Sequence, residues 1–135
     1  MRPIVIPLIC AFLASCATTP VPTSEAKPAS AILNSSMTIP RPMVGQVIIK
    51  RDMGVIGSVC AIRASVNGKP LADLRIGEIV VAYLEPGDYV LGASSTGICG
   101  GGDAEAGVSV RIGEVRTYRI SIDPGASIRI GPTAY

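Results

Sequence analysis

From Met43 onward, apolar residues come in short runs that alternate with polar ones and are broken by turn formers. A period of two puts successive side chains on opposite faces of a strand. The pattern predicts strands over residues 46–50, 59–66, Lys69–Leu74, Glu78–Leu84, 88–93, 105–112, 116–122 and 126–130. Turn signals separate them at Asn67-Gly68, Glu85-Pro86-Gly87-Asp88, Gly113-Glu114 and Asp123-Pro124-Gly125, and Asn-Gly is a strong two-residue hairpin signal. Val108, Val110 and Ile112 share one face of their strand, as do Tyr118, Ile120 and Ile122 of theirs. A three-residue loop would pair these two strands, with Ile112 opposite Arg116, Val110 opposite Tyr118 and Val108 opposite Ile120. Residues 79–84 are apolar on both faces, as in a central strand with cover on each side. Cys60 is in phase with Ile62, Ala64 and Val66, which turns its sulfur inward.

The first 42 residues follow other rules. A single positive charge at Arg2 precedes an apolar stretch over residues 3–13. That stretch is too short for a bilayer core of roughly 30 Å, which needs about 20 residues, and it reads as the h-region of an export signal. It leads into Leu13-Ala14-Ser15-Cys16. This tetrapeptide resembles the lipobox of bacterial lipoproteins, in which cleavage exposes a cysteine that carries the lipid. The resemblance implies a leader over residues 1–15 and lipid on Cys16. With Ala17 after the cysteine, it also implies sorting to the outer membrane. The alternative is an ordinary secretory cleavage site that happens to contain a cysteine. Beyond Cys16, Pro20, Pro22, Pro28, Pro40 and Pro42 are interspersed with Ser and Thr. Such composition suits an extended, solvated tether over residues 16–42, ahead of one domain over residues 43–135.

Composition fits this division. The chain has 135 residues, of which 48% are hydrophobic and 16% charged, so the mature part should fold as one unit. Loss of Arg2 with the leader leaves eleven basic against ten acidic residues, and so near-neutral a chain gives no support for a nucleic-acid partner. No histidine is present, which removes Ser-His and Cys-His nucleophile pairs and every His-containing zinc site. Fifteen Gly and eleven Pro favour short strands and tight turns over long helices. The expected fold is all-β, a small antiparallel β-sandwich of seven to eight strands.

Of four cysteines, Cys10 belongs to the leader and Cys16 to the lipobox, leaving Cys60 and Cys99. In an oxidising periplasm these two are expected to form a disulfide, the alternative being two separate buried thiols. The segment Gly97-Ile98-Cys99-Gly100-Gly101-Gly102-Asp103 is too poor in Lys and Ser/Thr for a phosphate cradle. It reads as a loop pinned by the disulfide, with Gly97, Gly100 and Asp103 as a candidate partner-binding surface. Arg111, Arg119 and Arg129 fall on outward faces and suggest a basic strip or an ordinary solvated face. Asp103, Glu105 and Asp123 match no calcium loop. No catalytic residue, metal ligand or cofactor site is assigned.

The stretch Val59-Cys60-Ala61-Ile62-Arg63-Ala64-Ser65-Val66-Asn67-Gly68-Lys69-Pro70-Leu71-Ala72-Asp73-Leu74, then Gly77-Glu78, then Leu84-Glu85-Pro86-Gly87-Asp88-Tyr89, resembles the PEGA-like domains of small bacterial lipoproteins. The resemblance implies a small sandwich of transthyretin-like type. It covers about thirty residues of mostly turn chemistry, and no Pro-Glu-Gly-Ala tetrapeptide occurs in the chain. It carries over no functional residue. The expected function is that of a non-enzymatic envelope lipoprotein, held to the membrane through Cys16 and binding a periplasmic protein or glycan partner. Two alternatives are an inhibitor whose 97–103 loop plugs a lysozyme-like cleft and an enzyme that works with carboxylates alone.

Overall fold

The computed structural model describes residues 18–135, so the leader, the lipobox and Cys16 lie outside the described residues. Among the described residues ten strands occur: β1 Lys27–Pro28, β2 Ala31–Ile32, β3 Gly45–Arg51, β4 Ile62–Val66, β5 Lys69–Leu74, β6 Glu78–Leu84, β7 Gly87–Ser95, β8 Asp103–Val110, β9 Val115–Ile122 and β10 Ile128–Pro132. One 3-10 turn, Ser35–Thr38, follows β2. The strands form two five-stranded sheets, ordered β1-β6-β3-β9-β10 and β2-β5-β4-β7-β8. All-β architecture and the Cys60–Cys99 disulfide therefore hold. The expectation of seven or eight antiparallel strands does not, because β1 runs parallel to β6 and β3 parallel to β9.

Alternation explains most of the sandwich. Ile62, Ala64 and Val66 of β4, Val80, Ala82 and Leu84 of β6, and Tyr118, Ile120 and Ile122 of β9 all turn into one core between the sheets. Asn67 and Gly68 both take positive φ, at 48° and 75°, and close the β4–β5 hairpin with Val66 opposite Lys69, as the Asn-Gly signal requires. Strand 59–66 is shorter than expected: it begins at Ile62, and Cys60 lies in the loop before it.

The expected hairpin between β8 and β9 is absent, and the two strands lie in different sheets. Val108 pairs with Tyr89 of β7, while Tyr118 pairs with Ile49 of β3. Residues 111–114 arch over the end of the core, held by bonds from the Gly113 N–H to the Val44 carbonyl and from the Glu114 N–H to the Arg111 carbonyl. Alternation reports which face is buried, and two strands facing each other across a core satisfy it as well as two neighbours in one sheet. The Tyr118 hydroxyl crosses that core to the Gly107 carbonyl at 2.7 Å, tying β9 to β8.

The solvated tether is the second correction. From Thr18 onward the Pro-rich stretch lies on the sandwich. The N–H groups of Lys27 and Ala29 donate to Gly77 and Ile79, and those of Leu33 and Asn34 donate to Leu71. Only Ala29 and Ser30 separate β1, at the edge of one sheet, from β2, at the edge of the other, so one stretch of chain covers both edges. An uncovered edge would leave a row of free backbone groups. Pro28 is tolerated there because its missing N–H interrupts no interior ladder. On the opposite side the edge strands β8 and β10 pack against one another.

Candidate functional site

Three loops meet at one end of the sandwich: residues 52–61 after β3, 96–102 after β7 and 123–127 after β9. The Cys60–Cys99 disulfide joins the first two, with Cα atoms 6.2 Å apart. The Thr96 hydroxyl donates to the Ala61 carbonyl at 2.8 Å, and the Ser95 hydroxyl to the Cys99 carbonyl at 2.6 Å, so the second loop is tied down at its base. The Ile128 N–H reaches the Gly101 carbonyl and brings in the third. Between them opens a cleft of about 450 Å³ with apolar walls from Ile56, Ile62, Ile122 and Ile128 and the disulfide at its side. Val55 and Val59 beside this cleft are 87% and 88% exposed, and Ile98 is wholly exposed. Residues 53–62, 94–102 and 124–128 contain no charged side chain.

Charge gathers just beneath this end. β3 finishes in Lys50-Arg51, followed by Asp52, and all three side chains are almost fully buried. Strand alternation sends Arg51 to the core side with Val47 and Ile49, and Lys50 and Asp52 to the outer face. The Arg51 guanidinium donates to the carbonyls of Cys60, Leu74 and Gly57, at 2.7, 2.9 and 2.7 Å, and so holds the first loop from below. Burial lowers its proton affinity, and the negative charge of Glu78 opposes that effect.

On the outer face the Asp52 carboxylate accepts two N–H groups of Arg119, one of them from Nε at 3.1 Å, and the Thr18 hydroxyl at 2.9 Å. The Lys50 ammonium donates to the Val21 carbonyl at 2.9 Å, to the Thr23 hydroxyl at 3.1 Å and to the main-chain oxygen of Tyr135. Desolvation lowers the Lys50 pKa; Asp52 pulls it back up, and Arg119 pushes it further down. Residues 18–23 thus form a strap, pinned at Thr18 by the Ile122 carbonyl and amide and at Thr19 by a bridge to Met53.

The candidate residues divide. Cys60 and Cys99 meet as a disulfide. Gly97 and Gly100 lie in the stapled loop, where a side-chain carbon on either would meet nothing within 4 Å. Asp103 is not in that loop; it opens β8 and is paired with Ser94 across the ladder. The basic strip does not form either, because Arg119 turns onto Asp52, Arg129 pairs with Asp123 at 3.0 Å, and Arg111 sits in the arch beyond β8. The pinned Thr18 and the Lys50-Arg51-Asp52 run went unread in the sequence. The available signal was a strand pattern continuing without a break from Val47 and Ile49 into three charges.

Among the described residues no helix is long and apolar enough to cross a membrane. No protein-family model and no curated protein matches the sequence.

Proposed function

We propose that the chain is a lipid-anchored, non-enzymatic module of a bacterial cell envelope, exported, cleaved before Cys16 and offering its sandwich to a protein or glycan partner in the periplasm. The observation that carries the reading is the junction at residues 13–18. Leu13-Ala14-Ser15-Cys16 stands two positions before Thr18, where the backbone and side chain are already bound to Ile122 and Asp52. A lipidated cysteine there would pass directly into the folded domain. The disulfide suits an oxidising compartment. The buried charges that an enzyme would need free are engaged in holding the strap and the loop. The turn motifs behind the PEGA-like resemblance fall at the β4–β5 and β6–β7 connections.

The inhibitor reading has less support. With the 96–102 loop tied at its base and Asp103 built into β8, only Ile98 and glycines project from it. Mass spectrometry of the protein purified from its membrane tests the anchor. The expected mature N-terminus is Cys16 carrying acyl chains, absent in Cys16→Ser, and an unmodified or differently cleaved N-terminus would overturn the reading. Crosslinking in intact cells then identifies the partner, and a lysozyme assay unaffected by the protein would dispose of the inhibitor.

A further inference from the structure

We propose that the end of the sandwich where the three loops meet rests on the phospholipid bilayer that holds the Cys16 lipid, with Val55, Val59 and Ile98 set into its interfacial layer; this rests on the anchor reading above. Exposed apolar side chains are ordinary when scattered singly. Here three almost fully exposed ones stand on two loops joined by a disulfide, Val59 and Ile98 each directly preceding a bridged cysteine. A monomer rarely leaves such a cluster to water without a use for it.

Chain length names the occupant. Two residues of extended chain span at most about 7 Å, so Cys16 cannot lie farther than that from Thr18. Thr18 in turn packs on Gly54, whose added side-chain carbon would sit 3.0 Å from the Thr18 methyl group, and Val55 is the next residue. The lipid attachment point and the first of the three apolar tips are therefore neighbours. Residues 53–62, 94–102 and 124–128 bring no charge into that layer, and charge is what membrane contact penalises most. Insertion stays shallow because the loop backbones keep polar groups that hydrocarbon cannot satisfy. Arg51, bonded to loop carbonyls, and Asp52, paired with Arg119, are already buried beneath the loops, so seating this end on lipid desolvates neither of them anew. The carboxylate of Asp123, at the start of the third loop, is paired with Arg129.

The chain contains no tryptophan, so one introduced residue is a unique reporter. Val55→Trp, Ile98→Trp and, at the opposite end, Ile112→Trp are made in the full chain, purified from membranes and reconstituted into phosphatidylethanolamine–phosphatidylglycerol vesicles with brominated acyl chains. Ile112 lies in the arch after β8 and is itself exposed, so it samples the same solvent without facing the lipid. The expected result is blue-shifted, quenched emission from the Trp at 55 and at 98, and unquenched emission from the Trp at 112. Mass spectra of the same samples read the lipid on Cys16. Acylated protein with all three reporters unquenched, or all three quenched alike, overturns the orientation while leaving the anchor intact. Unacylated protein that stays off the vesicles overturns the anchor and this inference together. Cys16→Ser carrying Val55→Trp is expected to lose the quenching, since three shallow side chains do not hold a domain on a vesicle without the acyl chains.

Discussion

Replacement of Asp52 by alanine should be among the most damaging single changes outside the apolar core. The carboxylate is 2% exposed and is the acceptor for Arg119 and for Thr18. At an N–O separation near 3 Å and an effective dielectric of about 20, the Arg119–Asp52 attraction is of order 5 kcal/mol before desolvation is counted. Removing one partner of a fully buried pair costs about 3–5 kcal/mol, because the other charge stays behind uncompensated. Arg119 is 31% exposed and recovers some water. That moves the expected loss toward the lower end, about 3 kcal/mol for Asp52→Ala and about 2 for Asp52→Asn, which keeps one acceptor.

Urea titration of the purified chain, followed by far-UV circular dichroism with the disulfide intact, measures this directly. A loss of about 3 kcal/mol corresponds to a drop of roughly 10 °C in Tm for a domain of this size. Adding Lys50→Met to Asp52→Ala should restore part of the loss, because Lys50 and Arg119 otherwise face each other as like charges. A loss below about 1 kcal/mol would refute the reasoning, since it would mean that the pair behaves as a surface ion pair.

Other expectations follow from single contacts. Replacing Cys60 and Cys99 by alanine opens a loop of sequence separation 39 and should cost about 4 kcal/mol in the chain-entropy account; an unchanged urea midpoint would contradict it. Gly45→Ala would set its new carbon 2.5 Å from the Arg111 carbonyl oxygen and 2.6 Å from a Val110 methyl group, so a loss of about 1–3 kcal/mol is expected. Gly107→Ala meets nothing within 4 Å and should stay within about 0.5 kcal/mol, which gives the first substitution its control. The Asp123 carboxyl is held below its ordinary range chiefly by the Ser127 N–H; desolvation opposes this, and Arg129 and the Gly125 N–H add to the lowering. A carboxyl whose folded pKa is depressed contributes stability that is complete above its unfolded value, about 3.9, and lost as pH falls through the lower folded one. The Ser127 amide shift should therefore titrate below the ordinary aspartate midpoint, and a midpoint at or above it would remove Asp123 from the acid response.

How much of this was legible depends on what each pattern measures. Alternation marked the inward faces of β4, β8 and β9 because burial acts residue by residue along a strand, whereas β6, apolar on both faces in sequence, buries Val80, Ala82 and Leu84 and leaves its other face only partly covered. Sheet partners are set by where the chain goes after the strand, which is why Val108, Val110, Tyr118 and Ile120 carried the right faces into the wrong pairing. Asn67-Gly68 was legible because its turn needs two positive φ angles that few residue pairs accept. Cysteine parity was enough to bring Cys60 to Cys99. The buried Lys50 and Asp52 were hidden because their cover comes from residues 18–23, about thirty positions earlier, and no local pattern announces a partner at that distance.

The strap shows why composition misled. Pro20 and Pro22 favour extended backbone whether it is solvated or docked, so a Pro-rich stretch cannot by itself be told from a strap. What decides is a receiving surface elsewhere, here the outer face of β3, where Val21 is buried and Lys50 takes its carbonyl. The distinction changes what an anchored module can do. A solvated tether of the 26 residues 17–42 could extend about 80 Å and let an anchored domain search the space around its membrane. With lipid on Cys16 and Thr18 already fixed to Asp52 and Ile122, almost none of that reach remains. On the anchored reading proposed above, a partner would meet the sandwich at the membrane surface, at the end away from the lipid, where the 111–114 arch and the Asn67-Gly68 turn project. Releasing the strap with Lys50→Met should lengthen the lever: hydrogen exchange at Thr19, whose N–H donates to the Met53 carbonyl, should accelerate, and in-cell crosslinks to a partner should spread beyond that far end. Exchange rates unchanged by Lys50→Met would show that the strap is held without Lys50, by the bonds of Thr18 and Thr19 to Asp52, Ile122 and Met53.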